Sequence, residues 1–156
     1  MLEALATLHE IEHIEHGALE AERLSLGWPP LPASSWVAQL QANLSLQREA
    51  GRRLFLISAT AESAEELAAV RAATAAAELL VVCLTAPPDT VAARIEAREP
   101  DHWPGKRSLI ERARRLARPT AALPGVDVVI GTDEREAADV AAEIFRQMRE
   151  RGIDAT

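Results

Sequence analysis

A chain of 156 residues, 48% hydrophobic and 26% charged, has the composition of one globular α/β-sized domain with a full core. Its formal charge of −7 speaks against nucleic acid as a partner. A single cysteine, Cys83, excludes an internal disulfide, and no apolar run approaches the roughly 18 residues of a membrane span.

An acidic start, with Glu3 and Glu10, is unlike a signal peptide, so the expected location is the cytoplasm, away from membranes. Apolar positions at Leu2, Leu5, Leu8 and Ile11 predict a helix from Met1 to about His13. Ile14 to Leu19 reads as a short strand. Gly27, Pro29, Pro30 and Pro32 mark Glu20 to Ser35 as a loop. A helix follows from about Trp36 to Ala50, capped by Ser34 or Ser35 and stopped by Gly51.

Arg53 to Ala59 is a continuous apolar run of strand length, the pattern of a strand buried on both faces. Ser63 with Glu66 forms a capping box and opens a helix bearing Leu67 and Val70. Leu79 to Leu84 is a second buried strand. Pro87, Pro88 and Asp89 then turn the chain into a helix with Val91 and Ile95. Pro100, Pro104 and Gly105 form a loop, and Ser108 with Glu111 predicts another capped helix. Val126 to Ile130 is a third run of this kind, and Asp133 with Glu136 caps a last helix ending near Gly152. Strands alternating with helices imply βα units, a parallel sheet and a single domain over residues 1–156.

Charge is unevenly spread along this pattern. Met1 to Glu22 carries six acids and no Lys or Arg, whereas Arg94 to Arg118 carries eight basic residues against four acids. A basic segment on an acidic protein is either a solvated helix face or a local anion site.

With strand, Pro-Asp turn, arginine helix and loop in this order, the chain resembles the small P-loop kinases of the nucleoside-monophosphate and shikimate kinase type. The segment Leu79 to Glu99 carries the likeness best. There the family follows a buried strand with Pro-Asp and a helix bearing two arginines at the edge of a mobile lid. Arg94 and Arg98 occupy those positions, four residues apart and therefore on one helix face. One guanidinium can stack on a purine while the other pairs with phosphate oxygens. The resemblance implies that Lys106 and Arg107 add lid charge and that Gly131, Thr132 and Asp133 pass the adenine. It also implies that Glu20 or Glu22 holds the phosphate acceptor, with ATP and Mg2+ as cofactors. The fold it implies is a three-layer, P-loop NTPase-like sandwich.

The front of the chain departs from that pattern. Phosphate binding in the family needs Gly-x4-Gly-Lys-Ser/Thr, whose backbone N–H groups and lysine neutralise the transferred phosphoryl group. The Gly105-Lys106 pair does not supply it: Arg107 replaces the hydroxyl residue and Pro100 the first glycine. Under the resemblance the chain begins about one turn after the missing motif, and the sheet lacks its first, central strand. Arg53–Ala59 and Leu79–Leu84 must then pair directly, leave a gap or borrow a strand. An uncovered edge predicts association into a homodimer. The expected activity is that of an ATP-dependent small-molecule or nucleotide kinase-like domain, inactive as this chain alone. A non-enzymatic nucleotide-binding or scaffold domain is the alternative.

A third reading comes from His9-Glu-Ile-Glu-His13, a literal H-E-x-x-H. On a helix it sets two imidazoles on one face for zinc, with Glu10 as general base. The extended metalloprotease pattern would need Gly at His16 and His at Leu19, and no Glu lies between Glu22 and Glu49 as a distant ligand.

Overall fold

The computed structural model describes residues 12–15, 33–117 and 122–153. Along them run β1 (Glu12–Glu15), α1 (Ala33–Glu49), β2 (Phe55–Ser58), α2 (Ala64–Thr74) and β3 (Val82–Thr85). These are followed by α3 (Pro88–Arg98), α4 (Lys106–Leu116), β4 (Val128–Gly131) and α5 (Ala137–Glu150). The architecture is mixed α/β with parallel strands.

The strands form two separate parallel pairs, β1 with β2 and β3 with β4. Glu12 stands opposite Phe55 and His13 opposite Leu56, while Val82 stands opposite Val128 and Thr85 opposite Gly131. Among the described residues, β2 and β3 are not hydrogen-bonded to each other. Of the three arrangements open to these strands, direct pairing is therefore not the one adopted. The expectation of strands buried on both faces is also corrected. β2 is half-buried throughout, and Leu84 and Val129 remain 40% and 49% exposed. Among the described residues each strand has one strand neighbour instead of two, so these apolar runs have less flanking cover there than a wider parallel sheet supplies.

Local chemistry accounts for most helix boundaries. Ser63 Oγ accepts the Glu66 amide at 3.2 Å, and Glu66 Oε2 accepts the Glu62 amide at 2.7 Å, a capping box shifted by one residue on its return arm. Pro88 opens α3, where its missing N–H costs nothing. Gly51, at φ +89°, ends α1: its amide reaches Arg48 O at 2.9 Å and the Arg52 amide reaches Gln47 O at 3.0 Å. Gly152, at φ +71°, ends α5 with the same pair of bonds, to Arg149 O and from Ile153 to Met148 O.

Four expected helix boundaries move, and the three apolar strands begin two or three residues later than expected, at Phe55, Val82 and Val128. The helix foreseen over Met1–His13 does not include its last two residues, because Glu12 and His13 belong to β1; residues 1–11 lie outside the described residues. Parallel pairing with β2 outweighs the local helical periodicity there. Ala33 to Ser35 belong to α1 and not to the preceding loop. α4 begins at Lys106 with no side-chain cap, so Ser108 is interior. α5 begins after Glu136, again without a side-chain cap, and Asp133 has a different partner.

Packing divides along the same line as the strands. Trp36, Leu40 and Leu44 recur every four residues on one face of α1 and are buried together with Ala73 of α2. Val37, Phe55, Ile57 and Val70 pack against that cluster. Every member of the cluster lies between β1 and the end of α2. The buried residues Ala92, Ile95, Ile130, Val140 and Ala141 belong to the stretch from β3 onward. The described residues thus fall into a first half, up to residue 74, and a second half, from residue 82 onward, each with its own strand pair.

Candidate functional site at the carboxyl end of the strands

In open parallel α/β structures ligands bind beyond the carboxyl ends of the strands, where helix N-termini and loops converge. At the carboxyl ends of β3 and β4, the Thr132 amide donates to Thr85 O at 2.7 Å and its Oγ1 donates to the same oxygen at 3.1 Å. α3 folds back over this end. Arg94 Nη1 donates to Thr132 Oγ1 at 2.8 Å and Nη2 donates to Thr132 O at 2.7 Å. One turn earlier, Thr90 Oγ1 donates to Asp133 Oδ1 at 3.0 Å. Three of the residues singled out from the sequence, Arg94, Thr132 and Asp133, therefore meet. Gly131 adjoins them, and a side chain placed on it would meet nothing within 4 Å, so the space beside it is open.

Arg98 lies one turn beyond Arg94, with its side chain 71% exposed and its Nε donating to Glu99 Oε1 at 2.7 Å. It is not bonded to the Thr132 cluster. Lys106 is placed quite differently. Its side chain is only 8% exposed, and Nζ donates to Glu96 O at 2.9 Å and Asp101 Oδ1 at 2.8 Å, with Glu96 Oε1 at 3.3 Å. All three N–H bonds thus have an oxygen at hand, and the ammonium ties the loop after α3 to the start of α4. The hydrogen bond it donates to Asp101 holds this ammonium above its ordinary pKa against the opposing pull of burial, and the same bond holds Asp101 below the usual carboxylate range. Arg107 points outward, 91% exposed, and pairs with Glu111 at 3.3 Å.

Around this turn lies an open cleft of about 490 Å³, lined by Glu96, Asp101, Trp103, Arg107, Glu111 and Arg114 among others. Its lining mixes both signs of charge and includes none of Arg94, Gly131, Thr132 or Asp133. The structure therefore separates the sequence-derived residues into two places: Arg94 with Gly131–Asp133, and Lys106 with Arg107. Gly105 keeps the second place compact. A Cβ on it would sit 2.5 Å from the Trp103 ring, so the indole can lie over the backbone only because no side chain is there.

Sequence reasoning overlooked the partners. Thr85 and Thr90 organise the first cluster, and Glu96 and Asp101 neutralise Lys106. Glu62, at the carboxyl side of β2, receives Arg112 Nε at 2.5 Å and Arg115 Nη2 at 3.4 Å from α4. The pairs are 50 and 53 residues apart in sequence, so no local pattern announces them.

Glu20 and Glu22 lie outside the described residues. The zinc reading rested on a helix carrying both His9 and His13. His13 lies in β1, where the four-residue helical spacing does not operate, and His9 lies outside the described residues. Among the described residues no three His, Cys, Asp or Glu side chains gather into a metal-binding group. β2 leads into Ser58 and Thr60 without a carboxylate at its end, so these residues do not make a fitted magnesium site. Cys83 is half-buried, and burial pushes its thiol pKa up, away from the nucleophilic thiolate. No helix among the described residues is long and apolar enough to cross a membrane. No protein-family model, curated protein or solved structure matches the chain.

Proposed function

We propose that this chain is the nucleotide-handling core of an ATP-dependent kinase-like fold acting on a small molecule or nucleotide, a P-loop NTPase-like sandwich without its central strand. The observation that carries the reading is the reach of Arg94 from α3 to Thr132, which sets a cation beside the Thr132 and Thr90 hydroxyls, the Asp133 carboxylate and an open glycine at the carboxyl ends of β3 and β4. That is the edge where parallel α/β sheets receive ligands. The two unjoined strand pairs also accord with a sheet whose middle strand is missing between β2 and β3.

Under this reading Arg94 and Arg98 face the phosphates, and Gly131–Asp133 line the base. The sequence holds no Gly-x4-Gly-Lys-Ser/Thr, so the preorganised donors that dominate phosphoryl-transfer catalysis are not supplied by these residues. The expected result for this chain is weak ATP binding and no measurable phosphotransfer. Isothermal titration with ATP, alongside a radiolabelled phosphotransfer assay, tests both statements. Robust turnover by the 156-residue chain overturns the second, and no binding at millimolar ATP overturns the first.

The internal position of Lys106 favours a second reading, a non-enzymatic nucleotide-binding or scaffold domain. Its ammonium is used within the fold rather than turned toward a ligand. That reading shares the binding prediction. It differs in that adding the missing loop and strand in a fusion would confer no phosphotransfer.

A further inference from the structure

The geometry points to a hinge that opens the molecule between its two halves, latched by Glu62 against Arg112 and Arg115. Such a hinge follows from packing and does not depend on the nucleotide reading. Among the described residues, β2 and β3 do not pair, and the buried apolar cluster of Trp36, Leu40, Leu44 and Ala73 with its neighbours draws on the first half alone. Two sets of contacts among these described residues, at the two ends of α2, cross between the halves.

At the end of α2, Arg71 Nη1 donates to Gly125 O at 2.8 Å and lies 3.4 Å from Asp127 Oδ2. Leu67 and Arg71 also pack close beside Gly125. The connecting segment leaves from this same end: Ala75 takes a left-handed φ of 44°, the next residues are exposed, and Val81 donates to Asp127 Oδ2 at 2.8 Å. This end is the pivot.

At the start of α2, about 16 Å away by helical rise, Glu62 takes Arg112 and Arg115 from α4. α4 is packed along α3, so it moves with the second half. The strap is charge on charge, with Glu62 28% and Arg115 68% exposed, and a partly solvated pair of this kind is weak and salt-screened. One strap lies beside the linker and the other lies a helix length away, on the carboxyl side of β2. Releasing Glu62 therefore lets the halves part at that end while Arg71 holds them together at the other.

The test measures the distance between the halves in the full chain. Spin labels are placed at Leu46→Cys on α1 and Ala142→Cys on α5, both exposed positions, in a Cys83→Ala background. Pulsed dipolar spectra are recorded with and without Glu62→Gln. Glu62→Gln is expected to raise the fraction of a longer, broader distance about three- to fivefold at low salt. Raising the salt to about 0.5 M should do the same to the chain with Glu62 intact. Arg115→Gln should reproduce the shift, and combining it with Glu62→Gln should add less than the sum of the two. One unchanged distance under all these conditions overturns the hinge. A shift with salt but none with either variant overturns Glu62 as the latch. The salt arm needs no substitution at the strap, so it reads even if a variant folds poorly.

Discussion

Lys106 and Asp101 form an ion pair of 2.8 Å in which the cation is almost wholly buried, at 8% exposure, and the anion almost wholly exposed, at 99%. The lysine stem lies inside while its charge is met at the surface, and the backbone oxygen of Glu96 supplies the inward partner. Because the Asp101 pKa is lowered in the folded chain, its contribution is complete above the unfolded carboxylate value of about 3.9 and is lost as pH falls through the depressed folded value. The raised Lys106 pKa works in the opposite direction: its contribution is complete below about 10.4 and is lost as pH rises through the folded value. Asp101→Asn should therefore lower stability modestly between these limits, and the gap from the unaltered chain should close on acidification below about pH 4. Urea denaturation of both proteins at several pH values checks this. A gap that persists well below that pH would count against the pair.

Gly105 should tolerate no side chain while the Trp103 indole stays in place. Its φ is −81°, so backbone strain is not the obstacle; the obstacle is the ring, 2.5 Å from where a Cβ would lie. Gly105→Ala must swing the indole outward, and overpacking of this kind costs about 1–3 kcal/mol. The expected readouts are a lower urea midpoint and a red-shifted Trp103 emission, measured with Trp28 and Trp36 replaced by Phe as reference. An unchanged emission would show that the ring does not depend on the glycine.

In the first half, Leu44 is 1% exposed and sits in the cluster with Trp36 and Leu40. Leu44→Ala should cost about 2–5 kcal/mol, the range for emptying a closed apolar site. Gly51 provides a contrast, because a Cβ there meets nothing within 4 Å yet φ is +89°. Gly51→Ala should therefore cost about 1–2 kcal/mol through the left-handed backbone alone. Thermal unfolding of the two variants should rank Leu44→Ala well below Gly51→Ala, and the reverse order would contradict the packing described.

What the sequence made legible is what neighbouring residues decide. The Ser63–Glu66 cap, the Pro88 start of α3, the Gly51 and Gly152 stops and the βα alternation all follow from interactions between close neighbours in the chain. The pairing of Glu12–Glu15 with Phe55–Ser58 is not local, and there the helical periodicity runs two residues too far, over Glu12 and His13, while Ile14 and Glu15 lie in the expected strand. The same holds for the site. Arg94 was singled out by its place after the Pro-Pro-Asp turn, but its partner Thr132 lies 38 residues away. Lys106 looked like lid charge because sequence carries no record of burial, and only the fold reveals Glu96 and Asp101 around it. The Glu62 strap was invisible for the same reason, Glu62 and Arg112 being 50 residues apart.

Arg94 and Arg98 share a helix face but differ in what the fold asks of them, which separates a ligand role from a structural one. Arg94 holds both the carbonyl and the hydroxyl of Thr132, whereas Arg98 contacts only its neighbour Glu99 in the bonds described. If both face a bound nucleotide, Arg98→Ala should weaken ATP binding about tenfold, the loss of a charge-assisted hydrogen bond, with no change in unfolding midpoint. Arg94→Ala should weaken binding and lower the midpoint together, because the clasp between α3 and the end of β4 goes with it. Arg94→Lys keeps the charge but cannot bridge both Thr132 oxygens with a planar fork, so it should restore little of the midpoint. Paired titrations and melts decide the matter. An Arg98→Ala chain that binds ATP as well as the unaltered one removes Arg98 from the site, and a lost midpoint in Arg94→Ala with unaltered binding leaves Arg94 a clasp alone.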